Sequence, residues 1–205
     1  MKIQPIVEGH GEVAALPILL RRLCEQAGKY VDIGKPIRRR LSELNNEDGI
    51  HKSVNLAKIQ KDCKGILILF DSEDECPREK APRLHAWALQ EAGGMPCQVV
   101  LAYREYETWF LASIESLRGK YGIATDAEPL PQPESRRGAK EALEEYMPRI
   151  SSYKETFHQP KLTACFDLAS AYRRSRSFRK LVKAFGDLMA AIGAPCSPWP
   201  PPAWI

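Results

Sequence analysis

The sequence predicts an α/β fold in which a mostly parallel sheet is flanked by helices and followed by a helical extension at the carboxyl end. Three observations predict it. The run Ile66-Leu67-Ile68-Leu69-Phe70 is wholly apolar and stops abruptly at Asp71-Ser72-Glu73-Asp74-Glu75. A short apolar run of this kind reads as a strand buried on both faces of a parallel sheet. Strand-like and helix-like segments then alternate as far as about residue 118, the pattern of a doubly wound sheet. Beyond residue 138 only helical segments remain.

The elements follow in order. Met1–Val7 reads as the first strand, and Pro5 within it argues for an edge position or a strand end. Glu8–Glu12 is a glycine-punctuated turn. Val13–Ala27 reads as a helix with Leu16, Leu19, Leu20 and Leu23 on its core face, Pro17 in its first turn and Gly28 closing it. Tyr30–Arg40 is a second strand interrupted by Gly34 and Pro36, ending in the basic run Arg38-Arg39-Arg40. A helix is expected over about His51–Cys63, the acid-ended strand over Ile66–Phe70, and a helix over about Pro82–Ala92 stopped by Gly93-Gly94. A strand at Cys97–Ala102 and a helix opening at Arg104 complete an α/β core over 1–118. The Pro-, Gly- and charge-rich stretch 119–138 reads as a linker or loop. Helices are expected at Ala139–Met147, Leu162–Arg174 and Ser177–Ile192, an extension over 139–194 packed on the core. The tail 195–205, rich in proline with Trp199 and Trp204, is extended and suited to docking.

Composition narrows the function classes. The 205 residues are 44% hydrophobic, enough for a substantial core, and 30 basic against 26 acidic side chains leave a formal charge of +4. That mild excess is compatible with nucleic acid without demanding it. No apolar stretch approaches membrane-spanning length, so no membrane partner is expected and a soluble, cytoplasmic protein is predicted. Six cysteines without a CxxC pair and four dispersed histidines offer no zinc spacing. Cys76 adjoins the acidic turn, but no base is positioned for it.

The chemistry lies in the acids. Parallel sheets bind ligands beyond the carboxyl ends of their strands. Glu8 follows one strand and Asp71 and Glu73 follow another, so a shared sheet brings all three together. Two carboxylates about 4 Å apart repel by roughly 4 kcal/mol at an effective dielectric near 20. Three must take up protons or recruit a cation. Oxygen-only donors suit Mg²⁺ or Mn²⁺ better than zinc. A solvated turn capping the next helix is the simpler account of Asp71, Glu73 and Asp74, but capping needs one acid rather than four.

Glu-Gly-x-x-Glu after a first strand (Glu8-Gly9-His10-Gly11-Glu12), with an apolar strand ending in Asp71-Ser72-Glu73, resembles the Toprim domain of topoisomerases, bacterial-type primases and the overcoming-lysogenization-defect nucleases. Arg104-Glu105-Tyr106-Glu107-Thr108-Trp109 is similar to the acidic segment of the nuclease branch. The whole chain resembles small Toprim-like bacterial proteins, with Ser175-Arg176-Ser177-Phe178 as its carboxyl-terminal signature. The resemblance implies a Rossmann-like sheet binding Mg²⁺ or Mn²⁺ and phosphodiester hydrolysis of DNA or RNA. It assigns Glu8, Asp71 and Glu73 as catalytic, and Glu8, Glu12, Asp71, Glu73, Asp74 and Glu107 as metal ligands. Glu73 is longer than the second aspartate of the usual Asp-x-Asp, so Asp74 is a candidate for that role. These residues leave no room for the tyrosine domain of a topoisomerase, so strand passage is not expected.

Arg173, Arg176 and Arg179 form a candidate nucleic-acid surface, with a solvated helix face as the simpler alternative. Lys140 is a candidate for stabilising a leaving oxyanion. Two rival functions remain. One is a non-catalytic Toprim-like binding or effector subunit acting with a partner such as an ATPase. The other is a haloacid-dehalogenase-like phosphatase built on Asp71, against which Glu75 stands where that family carries threonine or valine.

Overall fold

The computed structural model describes residues 1–205. Its five strands are β1 (Lys2–Val7), β2 (Asp32–Ile33), β3 (Ile37–Arg38), β4 (Cys63–Asp71) and β5 (Cys97–Ala102). Its helices are α1 (His10–Gln26), α2 (Leu41–Leu44), α3 (Glu47–Lys58), α4 (Pro77–Ala92), α5 (Thr108–Leu111), α6 (Ala139–Glu145), α7 (Glu155–Thr163), α8 (Leu168–Arg174) and α9 (Arg176–Ala191). Every strand pairing is parallel, in the order β2-β1-β4-β5, with β3 also on β1. This is the Rossmann-like α/β architecture that the strand–helix alternation predicts.

The apolar run of β4 divides its side chains between two cores. Leu67 and Leu69 point into the larger, with Leu16, Leu20, Trp109, Phe178 and Phe185. Ile66, Ile68 and Phe70 point into the smaller, with Ile50, Val54, Leu84 and Ala88 of α3 and α4. Alternation across the pleat therefore buries consecutive residues, each fully buried Leu or Phe contributing roughly 1.5–3 kcal/mol. Gly65 lies inside β4 rather than bounding it. A Cβ there would stand 2.9 Å from Leu188 and 3.0 Å from Ile192, so the glycine lets α9 cross close to the sheet.

Pro5 corrects an expectation. It sits in an interior strand, between β4 on one side and β2 and β3 on the other. Gly34 N donates to Ile3 O at 2.9 Å and Arg39 N to Val7 O at 2.8 Å, so odd-numbered residues of β1 face β2 and β3. Pro5 falls opposite the break between those two short strands, where no ladder bond is lost. Gln4 Nε2 fills the break by donating to Pro5 O at 3.2 Å and Lys35 O at 2.7 Å. The interruption that Gly34 and Pro36 predict is thus real, and it is what accommodates Pro5.

Helix boundaries differ where side chains far away in sequence intervene. Helix α1 begins at His10, so Pro17 is buried in its interior rather than its first turn. The expected helix from Arg104 shrinks to α5, because residues 103–107 are held as a turn by Asp71 and Ser72. The expected helix over 162–174 is two helices. Arg22 of α1 donates to the carbonyls of Thr163 at 2.7 Å and Phe166 at 2.8 Å, and Asp167 caps α8 by accepting from Ser170 N at 2.6 Å. Helix α7 carries Pro160 and escapes the sequence pattern altogether.

The segment 119–194 shares the larger core with the sheet: Ile123, Ala139, Leu143, Leu162, Phe178 and Phe185 all enter it. The tail docks on its own chain. Trp204 is buried, Trp199 packs on Phe185 with ring centroids 5.5 Å apart, and Trp199 Nε1 donates to Val182 O at 2.8 Å. No helix is long and apolar enough to cross a membrane.

Candidate functional site

At the carboxyl edge of the sheet lies a cleft of about 550 Å³ with no hydrophobic residue among its fifteen lining residues. Seven of them are carboxylates (Glu8, Glu12, Asp71, Glu73, Asp74, Glu105, Glu155) and four are cations (Arg38, Arg104, Arg137, Lys140). The topology makes it: Glu8 directly follows β1, and the adjacent parallel strand β4 ends in Asp71.

Each acid is placed by specific bonds. Glu12 folds back over the start of α1, where its Oε2 accepts from Gly9 N at 2.6 Å and Glu8 N at 3.2 Å. Asp71 is half-buried and its Oδ1 accepts from Tyr106 N at 2.9 Å. Glu107, behind the cleft wall, is completely buried. Its Oε1 accepts from Tyr153 Oη at 2.8 Å and Gln159 Nε2 at 3.1 Å, while its Oε2 has no partner. Glu12, Asp71 and Glu107 therefore each keep one oxygen clear of these bonds.

The loops after β4 and β5 are clipped together. Ser72 N donates to Ala102 O at 2.9 Å, Glu73 N to Arg104 O at 3.0 Å, and Arg104 N to Ser72 Oγ at 2.8 Å. Glu73 and Arg104 both hold left-handed backbone conformations, φ +51° and +63°. Such strain costs on the order of 1–3 kcal/mol per residue and gathers at working sites. Glu73 is exposed at the rim. Asp74, also exposed, lies 3.7 Å from Arg104 and 3.5 Å from Arg137.

Crowding and burial shift the acids in one direction. Burial pushes Glu12 up to about 8 against the opposing Gly9 amide, with Glu107 and Glu8 adding to the rise. Burial raises Glu107 to about 7, opposed by Lys140 and the Tyr153 hydroxyl. Asp71 is held well above the usual aspartate range by burial and by the charges of Glu12 and Glu107. Glu8 is raised by burial and by Glu73. Burial disfavours the charged form of Lys140, but Glu107 and its ion pair with Glu155 outweigh it and raise its pKa.

The structure thus brings Glu8, Glu12, Asp71, Glu73, Asp74 and Lys140 to one cleft and sets Glu107 directly behind it. No three His, Cys, Asp or Glu side chains stand at the mutual spacing of a preformed metal cage. Arg173, Arg176 and Arg179 do not line this cleft. Arg179 donates to the carbonyls of Tyr172 and Arg173, both at 2.9 Å, closing the end of α8. Arg173 is exposed beside Ser170 Oγ at 3.3 Å. The serines of the signature Ser175-Arg176-Ser177-Phe178 are architectural: Ser175 Oγ caps α9 at Phe178 N, and Ser177 Oγ accepts from the Trp109 indole.

Sequence reasoning missed Tyr153, Glu155 and Gln159, all from a stretch with no hydrophobic period. It also missed Arg137 and Arg104 as cleft cations, although Arg38 belongs to the basic run noted above.

Fold and site together define an α/β protein with an acidic, strained cleft at the carboxyl edge of a parallel sheet. A family model described as a domain of unknown function (DUF4276) matches residues 7–185, a span that includes every one of these side chains. The chain belongs to that family. No curated protein and no solved structure matches it.

Proposed function

We propose that the protein is a Toprim-type nuclease that hydrolyses phosphodiester bonds with Mg²⁺ or Mn²⁺ in the acidic cleft. The observation that carries the reading is Glu107 Oε2: a fully buried carboxylate oxygen without a partner, beside two further carboxylates whose proton affinities are raised. Buried charge of this kind calls for a cation. The donor set fits a hard divalent ion, since it is oxygen alone and each of Glu12, Asp71 and Glu107 retains an uncommitted oxygen. Glu8 and Asp71 would hold the ion, with Glu73 at the rim and Glu12, Asp74 or Glu107 completing the set. When bound there, such an ion would supply Lewis-acid charge against the scissile phosphate.

The chain's own residues do the rest. As a water oxygen bonds to phosphorus and the bond to the leaving sugar oxygen breaks, Glu8 accepts the water proton, and burial together with the neighbouring Glu73 raises its affinity for that proton. Lys140 faces the negative charge that grows on the leaving oxygen. Arg38, Arg104 and Arg137 orient the phosphates on either side. Asp71→Ala should lower Mg²⁺- or Mn²⁺-dependent cleavage of labelled oligonucleotides by about 10³-fold, the scale of losing a central charge stabiliser. Undiminished cleavage by that variant would remove the assignment.

One observation favours a second reading. Lys140 already places an ammonium among Glu107, Asp71 and Glu155, compensating part of the charge. A non-catalytic nucleic-acid-binding subunit working with a partner such as an ATPase would bind oligonucleotides and leave them uncut with every divalent ion.

A further inference from the structure

A second cleft, of about 1,040 Å³, opens on the other side of the clipped loops. Its floor includes Val99 and Leu101 of the edge strand β5 and the ring of Tyr103, and its walls include Arg78 of α4 and Arg176 and Lys180 of α9. The charge pattern reverses that of the first cleft. Its one carboxylate, Glu134, is spent on Ser175 Oγ at 2.8 Å and Ser177 N at 2.9 Å. Two of its arginines are occupied as well: Arg174 by Glu115 at 2.7 Å, and Arg179 by the α8 carbonyls. Arg78, Arg176 and Lys180 make no ion pair at all. Unpaired cations around a concave surface attract an anion, and several in a row attract a polyanion.

The two clefts are joined. A shallow groove between them shares Gln132 with the basic cleft and Arg137 with the acidic one. Tyr103 and Arg104, adjacent in the chain, straddle the junction: Tyr103 lines the basic cleft, Arg104 lines the acidic cleft, and Arg104 Cζ lies 5.3 Å from the Tyr103 ring centroid. Val99 and Leu101 are each only 2% exposed, so Tyr103 is the face the cleft offers to a base. A cationic track with an aromatic platform is the surface that unpaired bases use. A duplex hides the faces of its bases inside its own stack and cannot use that platform. Glu12 at the end of the track is recessed behind the exposed rim acids Glu73 and Asp74, being only 2% exposed, so a strand must bend inward to reach it.

We propose that the basic and acidic clefts are successive reaches of one groove that takes a single strand of DNA or RNA. Its phosphates pass Arg78, Arg176 and Lys180, and a base rests against Tyr103 before the strand enters the acidic cleft. What happens to the strand there rests on the nuclease reading; its binding does not.

The test is fluorescence anisotropy of labelled oligo-dT, oligo-U and a matched DNA duplex with the full chain in chelator, where nothing is cut. Both single strands should bind at least tenfold more tightly than the duplex. The double variant Arg176→Glu/Lys180→Glu, and separately Arg78→Glu on a different helix, should each weaken single-strand binding by tenfold or more. Neutralising two phosphate contacts should also flatten the salt dependence by about 1.4 in log–log slope. Circular dichroism matching the parent verifies that these exposed substitutions leave the fold intact. Equal affinity for the duplex, or unchanged single-strand binding by both folded variants, overturns the groove even if the protein cleaves. Tight, charge-dependent single-strand binding without cleavage by any divalent ion upholds the groove and removes the nuclease reading instead.

Discussion

Glu107 accepts from Tyr153 and Gln159 on one oxygen and leaves the other bare, with Glu12 and Asp71 raised by its charge. A carboxyl whose pKa is higher folded than unfolded holds its proton more tightly in the folded state. Its contribution is therefore fully present below the ordinary glutamate value of 4.5 and is lost as pH rises through about 7 for Glu107 and about 8 for Glu12. In chelator the melting temperature should fall by on the order of 5 °C between about pH 5 and about pH 8. Glu107→Gln and Glu12→Gln should each flatten that fall, and Mn²⁺ at the alkaline end should reverse it in the parent. A melting temperature that is level with pH in scanning calorimetry would show that these carboxyls are not strained by their surroundings. Glu8 and Asp71 are readable from sequence because a strand end followed by acid is a local pattern. Tyr153 and Gln159 are not, since their importance comes only from a bond made across some fifty residues of chain.

Helices α1 and α7 meet at Gly11. A Cβ there would overlap the Gln159 amide and press the Glu155 carbonyl at 3.0 Å. Alanine in a helix is ordinarily favoured over glycine by roughly 0.5–1 kcal/mol. Here the sign should invert: Gly11→Ala should cost about 1–3 kcal/mol in urea unfolding, the range of an overpacked contact. It should also lower cleavage, because Gln159 is driven away from Glu107; an unchanged or raised stability would mean that the helices part freely. The elements that sequence periodicity identifies well are those whose burial is set by their own pattern, such as β4, β5 and α9, whereas α4 begins at Pro77, five residues before the expected Pro82. Residues 103–107 and the break between α7 and α8 answer instead to Asp71, Ser72 and Arg22, which lie far along the chain. Pro5 shows the same dependence, since its tolerance is decided by where the neighbouring strand happens to be broken.

The larger core draws on both ends of the molecule, from Ile3 of β1 to Trp204 of the tail. Trp204 packs against Tyr172 with ring centroids 5.8 Å apart and Trp199 at 6.0 Å, and none of the three lines the acidic cleft. Trp204→Ala should therefore cost about 3–5 kcal/mol in denaturant unfolding while leaving the cleavage rate per folded molecule unaltered; a loss of rate in fully folded variant would show that the tail reaches the chemistry. The division into a strand–helix half and a helical half is visible in the residue pattern. That the two halves share one interior is not, because shared burial depends on which faces meet rather than on either face alone.

Glu107 owes its partners to Tyr153 and Gln159, and Lys140 to Glu155, all on a segment made well after β1, β4 and β5. During synthesis the ribosome therefore releases the acids long before it releases what organises them. A nascent chain halted before residue 153 carries Glu8, Asp71 and Glu107 but not the hydroxyl and amide that hold Glu107 in place. Any activity of the cleft is in this way withheld until the segment that carries residues 153–159 has been made, with no inhibitor required.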